Sequence, residues 1–243
     1  MLNAATKAAD ASASTARMSI ADVLIKTAVC MAVVIAAAVP GWIFLNGSFL
    51  LYLGVLVAVI VVGVVMARKA PVSAPLALAY SALLGLMVGG FSHSAVTYGT
   101  ATSGAGEYLA LIPQAVAGTI AGAVAMLAVY ATPFGRRAAK ATRLFVGVII
   151  GYALLGVMSF LAAWLFGVGD GWGLYGLSGI GLLLCALGVV LACWSLLIDI
   201  GQVSDALAGG APANYDWTFG VSLAASLVWL YMEVLRLLAI ANR

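Results

Sequence analysis

The chain is short of charge: Asp, Glu, Lys and Arg make up only 8% of its 243 residues, whereas soluble domains carry about 25%. It contains one histidine and three cysteines, and their spacing matches neither a metal site nor a disulfide scaffold. These shortages exclude a water-soluble globular domain, because too few polar side chains are available to cover its surface. The net charge of +3 gives no sign of nucleic-acid binding, so we expect no nucleic-acid partner.

Hydrophobic residues make up 65% of the chain and are grouped in seven apolar segments. A helix needs about 20 apolar residues to cross a bilayer. The segments lie near 20–45, 48–67, 76–95, 108–132, 143–168, 173–200 and 217–240. They predict an all-α polytopic membrane protein, a seven-transmembrane-helix bundle whose environment is the lipid bilayer. A short polar tail at 1–18 would precede a single transmembrane domain at 19–243, and Pro40 is expected to kink or shorten the first helix.

The basic residues are unevenly distributed and predict the orientation. The loops near 46–48, 96–107 and 169–172 contain no Lys or Arg. Eight of the 11 basic residues precede the first segment or follow the second and fourth: Lys7, Arg17, Arg68, Lys69, Arg136, Arg137, Lys140 and Arg143. The positive-inside rule therefore predicts a protein of the cell inner (plasma) membrane with a cytoplasmic N-terminus. Seven complete spans would leave the C-terminus outside, whereas a re-entrant last segment would return it to the cytoplasm.

Two oppositely charged pairs fall within apolar segments, where an ionisable group is costly and needs a reason. Asp22 and Lys26 lie at i,i+4 at the start of the first segment. We expect them to neutralise each other near the cytoplasmic interface. Glu233 and Arg236 lie at i,i+3 in the last segment. These two can pair in the same way, or Arg236 can reach the far interface.

Asp199 differs because no basic residue lies within a helical turn of it. It falls at the end of the sixth segment, just before a loop expected at 201–216. An unpaired carboxylate in a low dielectric resists ionisation, which makes Asp199 the best candidate for a proton- or cation-sensing residue. The alternative is that the cytoplasmic interface is near and Asp199 is hydrated.

No enzyme signature fits this chain. A retinal protein needs a Schiff-base lysine in its last helix, and the segment at 217–240 has none. The stretch at 176–179 (GLSG) matches the GxSG of rhomboid proteases, but the only histidine, His93, precedes the serine instead of following it. We therefore expect neither enzymatic activity nor a cofactor, and an intramembrane hydrolase remains a weaker possibility.

The C-terminal third resembles the Bax inhibitor-1 (transmembrane Bax-inhibitor-motif) family, in particular an actinobacterial-type bacterial branch. The resemblance is carried by 194–199 (WSLLID), 209–217 (GGAPANYDW) and 230–238 (LYMEVLRLL). Weaker similarity is found at 19–23 (SIADV) and 79–85 (AYSALLG).

The resemblance implies a seven-helix fold with the last helix central, and a proton-sensitive leak for calcium or another cation. It assigns the two gating acids, which would also be weak Ca²⁺ ligands, to Asp199 and Glu233. Two departures are evident: Leu84 stands where many members have Glu, and 34 residues separate Asp199 from Glu233, about two helical turns more than in better-known members. At this spacing the acids meet only if the last helix projects beyond the membrane; otherwise Arg236 is the expected partner of Glu233.

A second function is compatible with the same resemblance. The chain could be a non-transporting adaptor that binds another membrane protein and modulates membrane-protein quality control or a stress response.

Overall fold

The computed structural model describes residues 16–45, 49–100, 110–167, 173–176 and 178–242. Its α-helices are α1 (Ile20–Phe44), α2 (Phe49–Arg68), α3 (Ala74–Thr100), α4 (Leu111–Ala131), α5 (Pro133–Ala139), α6 (Thr142–Phe166), α7 (Ser178–Ala208) and α8 (Asp216–Ala241). Every helix except the short α5 is long and apolar enough to cross a membrane, which gives seven candidate spans in the described part of the chain. The predicted all-α, seven-helix membrane fold is confirmed. Residues 1–15 of the predicted polar tail lie outside the described residues.

Pro40 does not shorten α1, which continues to Phe44, because a proline in a membrane helix can be accommodated by its neighbours. One helix end differs from the sequence prediction. α7 runs nine residues beyond Asp199 to Ala208, so the first half of the loop expected at 201–216 is helical. The helix stops where Gly210 adopts φ 67° and its N–H bonds to Leu207 while that of Ala211 bonds to Ala206, the hydrogen bonding of a Schellman cap.

The described residues form two compact units. The first combines the chain up to Phe91 with Asp199–Ala225, and the second combines Ser92–Ile198 with the chain from Ser226 onward. The divisions fall within α3, α7 and α8, so each of these helices contributes to both units.

In the first unit, α1 and α3 pack closely through glycine. A Cβ atom on Gly89 would fall on the backbone of Ala38, and one on Gly41 would fall on the backbone of Leu86. Only a residue without a side chain allows this approach, which is typical of helix packing in membranes. The buried core of this unit consists of Cys30, Val72, Ala77, Val221 and Ala224.

In the second unit, α4 packs on α8 through Gly118 and Gly122. Ideal Cβ atoms at these positions would lie 3.0 Å from Val234 and Leu230, respectively. The buried core of this unit consists of Tyr152, Tyr175, Cys185 and Leu191.

The helices differ strongly in burial. Half of the most apolar stretch of α8 is buried, compared with 6% for α4. Large apolar side chains such as Leu50, Leu127 and Leu154 are exposed, and lipid is the environment that such a surface requires.

Candidate functional site

Asp199 is a buried carboxylate in the first unit, with only 8% of its surface exposed. The Ser222 hydroxyl on α8 donates a hydrogen bond of 2.7 Å to its Oδ1 atom. The sequence placed Asp199 at the end of the sixth segment. In the structure α7 continues to Ala208, so Asp199 lies within this candidate span. A serine hydroxyl can donate to the ionised carboxylate and accept from the protonated one, so this contact is compatible with both states.

A second buried acid in this unit is Asp216, which is 1% exposed and lies in the first turn of α8. Its Oδ2 atom pairs with Lys26 Nζ of α1 at 3.1 Å. The same ammonium lies 5.9 Å from the centre of the Trp217 ring, within the range of a cation–π contact. The ion pair therefore connects the N-terminal end of α8 to α1.

The expected pairing of Asp22 with Lys26 is wrong. The Ser19 hydroxyl donates to Asp22 Oδ2 at 2.7 Å and accepts from the Asp22 backbone N–H at 3.1 Å, which caps the start of α1. Lys26 pairs with Asp216 instead. A buried carboxylate left without a counter-charge costs several kcal/mol, whereas the exposed Asp22 is stabilised by water and its local cap.

Glu233 is the buried acid of the second unit, and both of its carboxylate oxygens are hydrogen-bonded. It is 2% exposed. Arg236 Nη1 donates to both oxygens at 3.0 Å. The Trp229 indole donates to Oε1 and the Tyr152 hydroxyl donates to Oε2, each at 3.1 Å. The expected pairing of Glu233 with Arg236 is confirmed, and the pair is neutral overall.

Two further residues complete this cluster. The Arg236 guanidinium lies 4.9 Å from the centre of the Tyr175 ring, so an aromatic face also stabilises its charge. A Cβ atom on Gly188 of α7 would collide with the Tyr152 hydroxyl and with Glu233 Oε2. The glycine therefore provides the space in which the carboxylate and the phenol meet.

A family model described as Bax inhibitor 1 like matches residues 1–243, the whole chain. The chain belongs to the Bax inhibitor 1-like family. Comparison with curated proteins gives no match.

Within this family member, the two acids suggested by the resemblance have different surroundings. The α8 side chain that bonds to Asp199 is Ser222, which precedes Glu233 by 11 residues in the sequence. Glu233 is instead held by Arg236. Asp199 therefore accepts a hydrogen bond from a hydroxyl group, and Glu233 is paired with a cation.

No group of three or more His, Cys, Asp or Glu side chains in the described parts of the chain could hold a metal ion. Calcium usually takes 6–8 oxygen ligands. The Asp199 carboxylate alone supplies fewer than this.

Sequence reasoning missed the residues that contact these buried charges, among them Ser222, Asp216, Tyr152 and Trp229. Trp229 precedes Glu233 by four residues, so helical spacing could have indicated it. The other three contact side chains 23, 190 and 81 residues away. No local pattern identifies contacts at such separations.

Proposed function

We propose that this member of the Bax inhibitor 1-like family is a proton-sensitive leak for calcium or another cation, with Asp199 as the sensing residue. The proposal rests on the surroundings of Asp199. Its carboxylate is buried in an apolar helix, and the adjacent Ser222 hydroxyl can either donate a hydrogen bond to it or accept one from it. The activity is non-catalytic, and the cation is cargo.

Protonation of Asp199 removes the negative charge that would attract a cation. At low pH the neutral carboxyl bonds to its neighbours and keeps the helices closed. At higher pH the carboxylate attracts a hydrated cation, which favours an open arrangement. Flux is therefore expected to fall as the pH falls.

Glu233 contributes differently in this proposal. Its charge is balanced by Arg236, so it supports α8 without needing a mobile cation. Lys26 likewise balances Asp216.

The test is calcium entry into dye-loaded liposomes that contain the purified full-length protein, measured across about pH 5 to 8. Asp199→Asn, which mimics the protonated form, should lower the flux and flatten its pH profile. Ser222→Ala removes the hydroxyl that bonds to Asp199 and should change the pH profile of the flux. The matched control is Asp205→Asn, which changes an exposed acid on the same helix and should leave the profile unaltered.

The orientation proposed for this leak has a cytoplasmic N-terminus in the plasma membrane, on the basis of the basic-residue asymmetry. An impermeant thiol reagent applied from outside should label a cysteine placed at Ser103, which lies outside the described residues, and not one at Ala138. The opposite labelling pattern would reverse the orientation.

The adaptor function is the second candidate, and the neutralisation of Glu233 favours it. An acid that already has an internal counter-charge is poorly suited to a leak with two gating acids. If the wild-type protein passes no calcium at any pH, or if Asp199→Asn leaves the profile unchanged, the adaptor should replace the leak.

A further inference from the structure

The connection between α4 and α6 carries an unusual concentration of positive charge. Arg136, Arg137, Lys140 and Arg143 occur within eight residues, and no acidic residue occurs between Glu107 and Asp170. All four basic side chains are exposed. Neither of the two ion pairs found within the described ranges involves them, so the structure supplies no acid to balance this patch.

This basic connection is a folded element fixed to the second unit. The Thr132 hydroxyl accepts from the Gly135 N–H at 3.1 Å and caps α5. A Cβ atom on Gly135 would fall on the Val129 backbone, so α5 turns tightly against the end of α4. The Trp194 indole of α7 donates to the Ala138 carbonyl at 3.0 Å. The basic residues are thus held on a defined surface.

An apolar side chain accompanies the charges. Phe134 is 74% exposed and precedes the first arginine by two residues. Leu127 on α4 and Leu144 on α6 are also exposed, and both helices are long enough to span the membrane. A basic surface with a projecting aromatic ring between two spans is suited to the headgroup region of a bilayer.

We propose that this surface binds the phosphate of an anionic phospholipid through Arg137, Lys140 and Arg143, while Phe134 lies among the upper acyl chains. Arg136 donates to the Ala131 carbonyl at 3.1 Å, which fixes its side chain beside the end of α4. Basic clusters beside a membrane helix attract anionic lipid. The position between two spans and the exposed phenylalanine favour a lipid over free phosphate or an acidic protein. This inference is independent of the proposed leak and of Asp199.

The test measures lipid bound to the full-length protein in a non-ionic detergent by native mass spectrometry. The probes are dioleoyl-phosphatidylglycerol and dioleoyl-phosphatidylcholine. Each basic residue near an anionic surface contributes about 1 kcal/mol, which is about fivefold in affinity, so replacing three should weaken phosphatidylglycerol binding about a hundredfold. The variant combines Arg137→Gln, Lys140→Gln and Arg143→Gln, and its binding of phosphatidylcholine should not change.

The control combines Arg68→Gln with Lys69→Gln, which removes exposed charges from the connection between α2 and α3. Its affinity for phosphatidylglycerol should stay within about threefold of the wild-type value, a smaller change than the loss of one basic contact would cause. A second variant with Arg137→Lys and Arg143→Lys keeps the charge and should also retain binding. Because all of these side chains are exposed, a far-UV circular dichroism spectrum is expected to be the same for every variant.

Four results would overturn the proposal. They are undiminished phosphatidylglycerol binding by the triple variant, an equal loss in the Arg68 and Lys69 control, and equal binding of phosphatidylcholine by the wild type. The fourth is displacement of the lipid by inorganic phosphate or by polyglutamate at matched charge, which would identify the surface as a site for a soluble anion or an acidic protein.

Discussion

The ion pair between Glu233 and Arg236 allows the sharpest test of how this protein keeps charge inside an apolar core. The perturbations are Arg236→Leu, Glu233→Gln and the double change. Arg236→Leu leaves a carboxylate that is 2% exposed with two hydrogen-bond donors and no counter-charge. Glu233→Gln leaves a guanidinium supported by the Tyr175 ring at 4.9 Å.

The expected magnitudes follow from these environments. Removing one partner of a buried ion pair costs about 3–5 kcal/mol, because the other charge stays buried. For Glu233→Gln the loss of stability should be near the lower end of this range, because the Tyr175 ring still stabilises the guanidinium. A desolvated cation–π contact is worth about 2 kcal/mol. The double change removes both charges and should cost less than either single change. The coupling energy should therefore exceed about 2 kcal/mol, well above the average of about 0.6 kcal/mol for hydrogen bonds between membrane helices.

The assay is equilibrium unfolding of the purified protein in mixed micelles, followed by circular dichroism, with the coupling obtained from the double-mutant cycle. Asp205→Asn serves as the control, because an exposed substitution should change the free energy of unfolding by no more than about 0.5 kcal/mol. If the single effects add to within about 0.5 kcal/mol, the reasoning about charge neutralisation is refuted.

Three further predictions concern the free energy of unfolding measured in the same assay. Gly188→Ala should destabilise by about 1–3 kcal/mol through overpacking, because its Cβ atom would collide with Glu233. Lys26→Met should cost about 3–5 kcal/mol by leaving Asp216 buried without a counter-charge, and adding Asp216→Asn should recover most of that loss. Gly89→Leu should prevent stable folding, since even its Cβ atom would fall on the backbone of α1, which cannot move aside as a side chain can.

Controls exist for each of these changes. Gly54 and Gly151 have no atom within 4 Å of an ideal Cβ, so their replacement by Ala should be neutral or slightly stabilising in a helix. Lys69→Met is the control for Lys26→Met. It removes an exposed lysine and should change the free energy of unfolding very little. Losses in these controls equal to those at the packed positions would contradict the steric and electrostatic explanations.

The seven spans could be predicted from the sequence because their cause is local. A membrane helix satisfies its own backbone hydrogen bonds, so an apolar run of sufficient length is enough to specify one. The start of α1 is equally local, since the cap formed by Ser19 and Asp22 lies within one turn. The pairing of Glu233 with Arg236 follows from their spacing on one helix.

The C-terminal end of α7 and the short helix α5 were harder to predict than the seven spans, because neither depends on an apolar run. Residues after Asp199 can continue a helix, and the stop depends on the left-handed conformation of Gly210, not on loss of hydrophobicity. α5 has seven residues, too few for a periodic pattern, and is held by the contact from Trp194.

The order of residues is enough to locate the apolar spans and the charges within them. The partner of each charge depends on how the helices pack. Lys26 pairs with Asp216, 190 residues away, and not with Asp22 on its own helix, and Asp199 accepts from the hydroxyl of Ser222. The physical reason is that the cost of a buried charge depends on burial and on the groups packed against it. Both are properties of how α1, α7 and α8 come together, and neither is present in the order of residues along one helix.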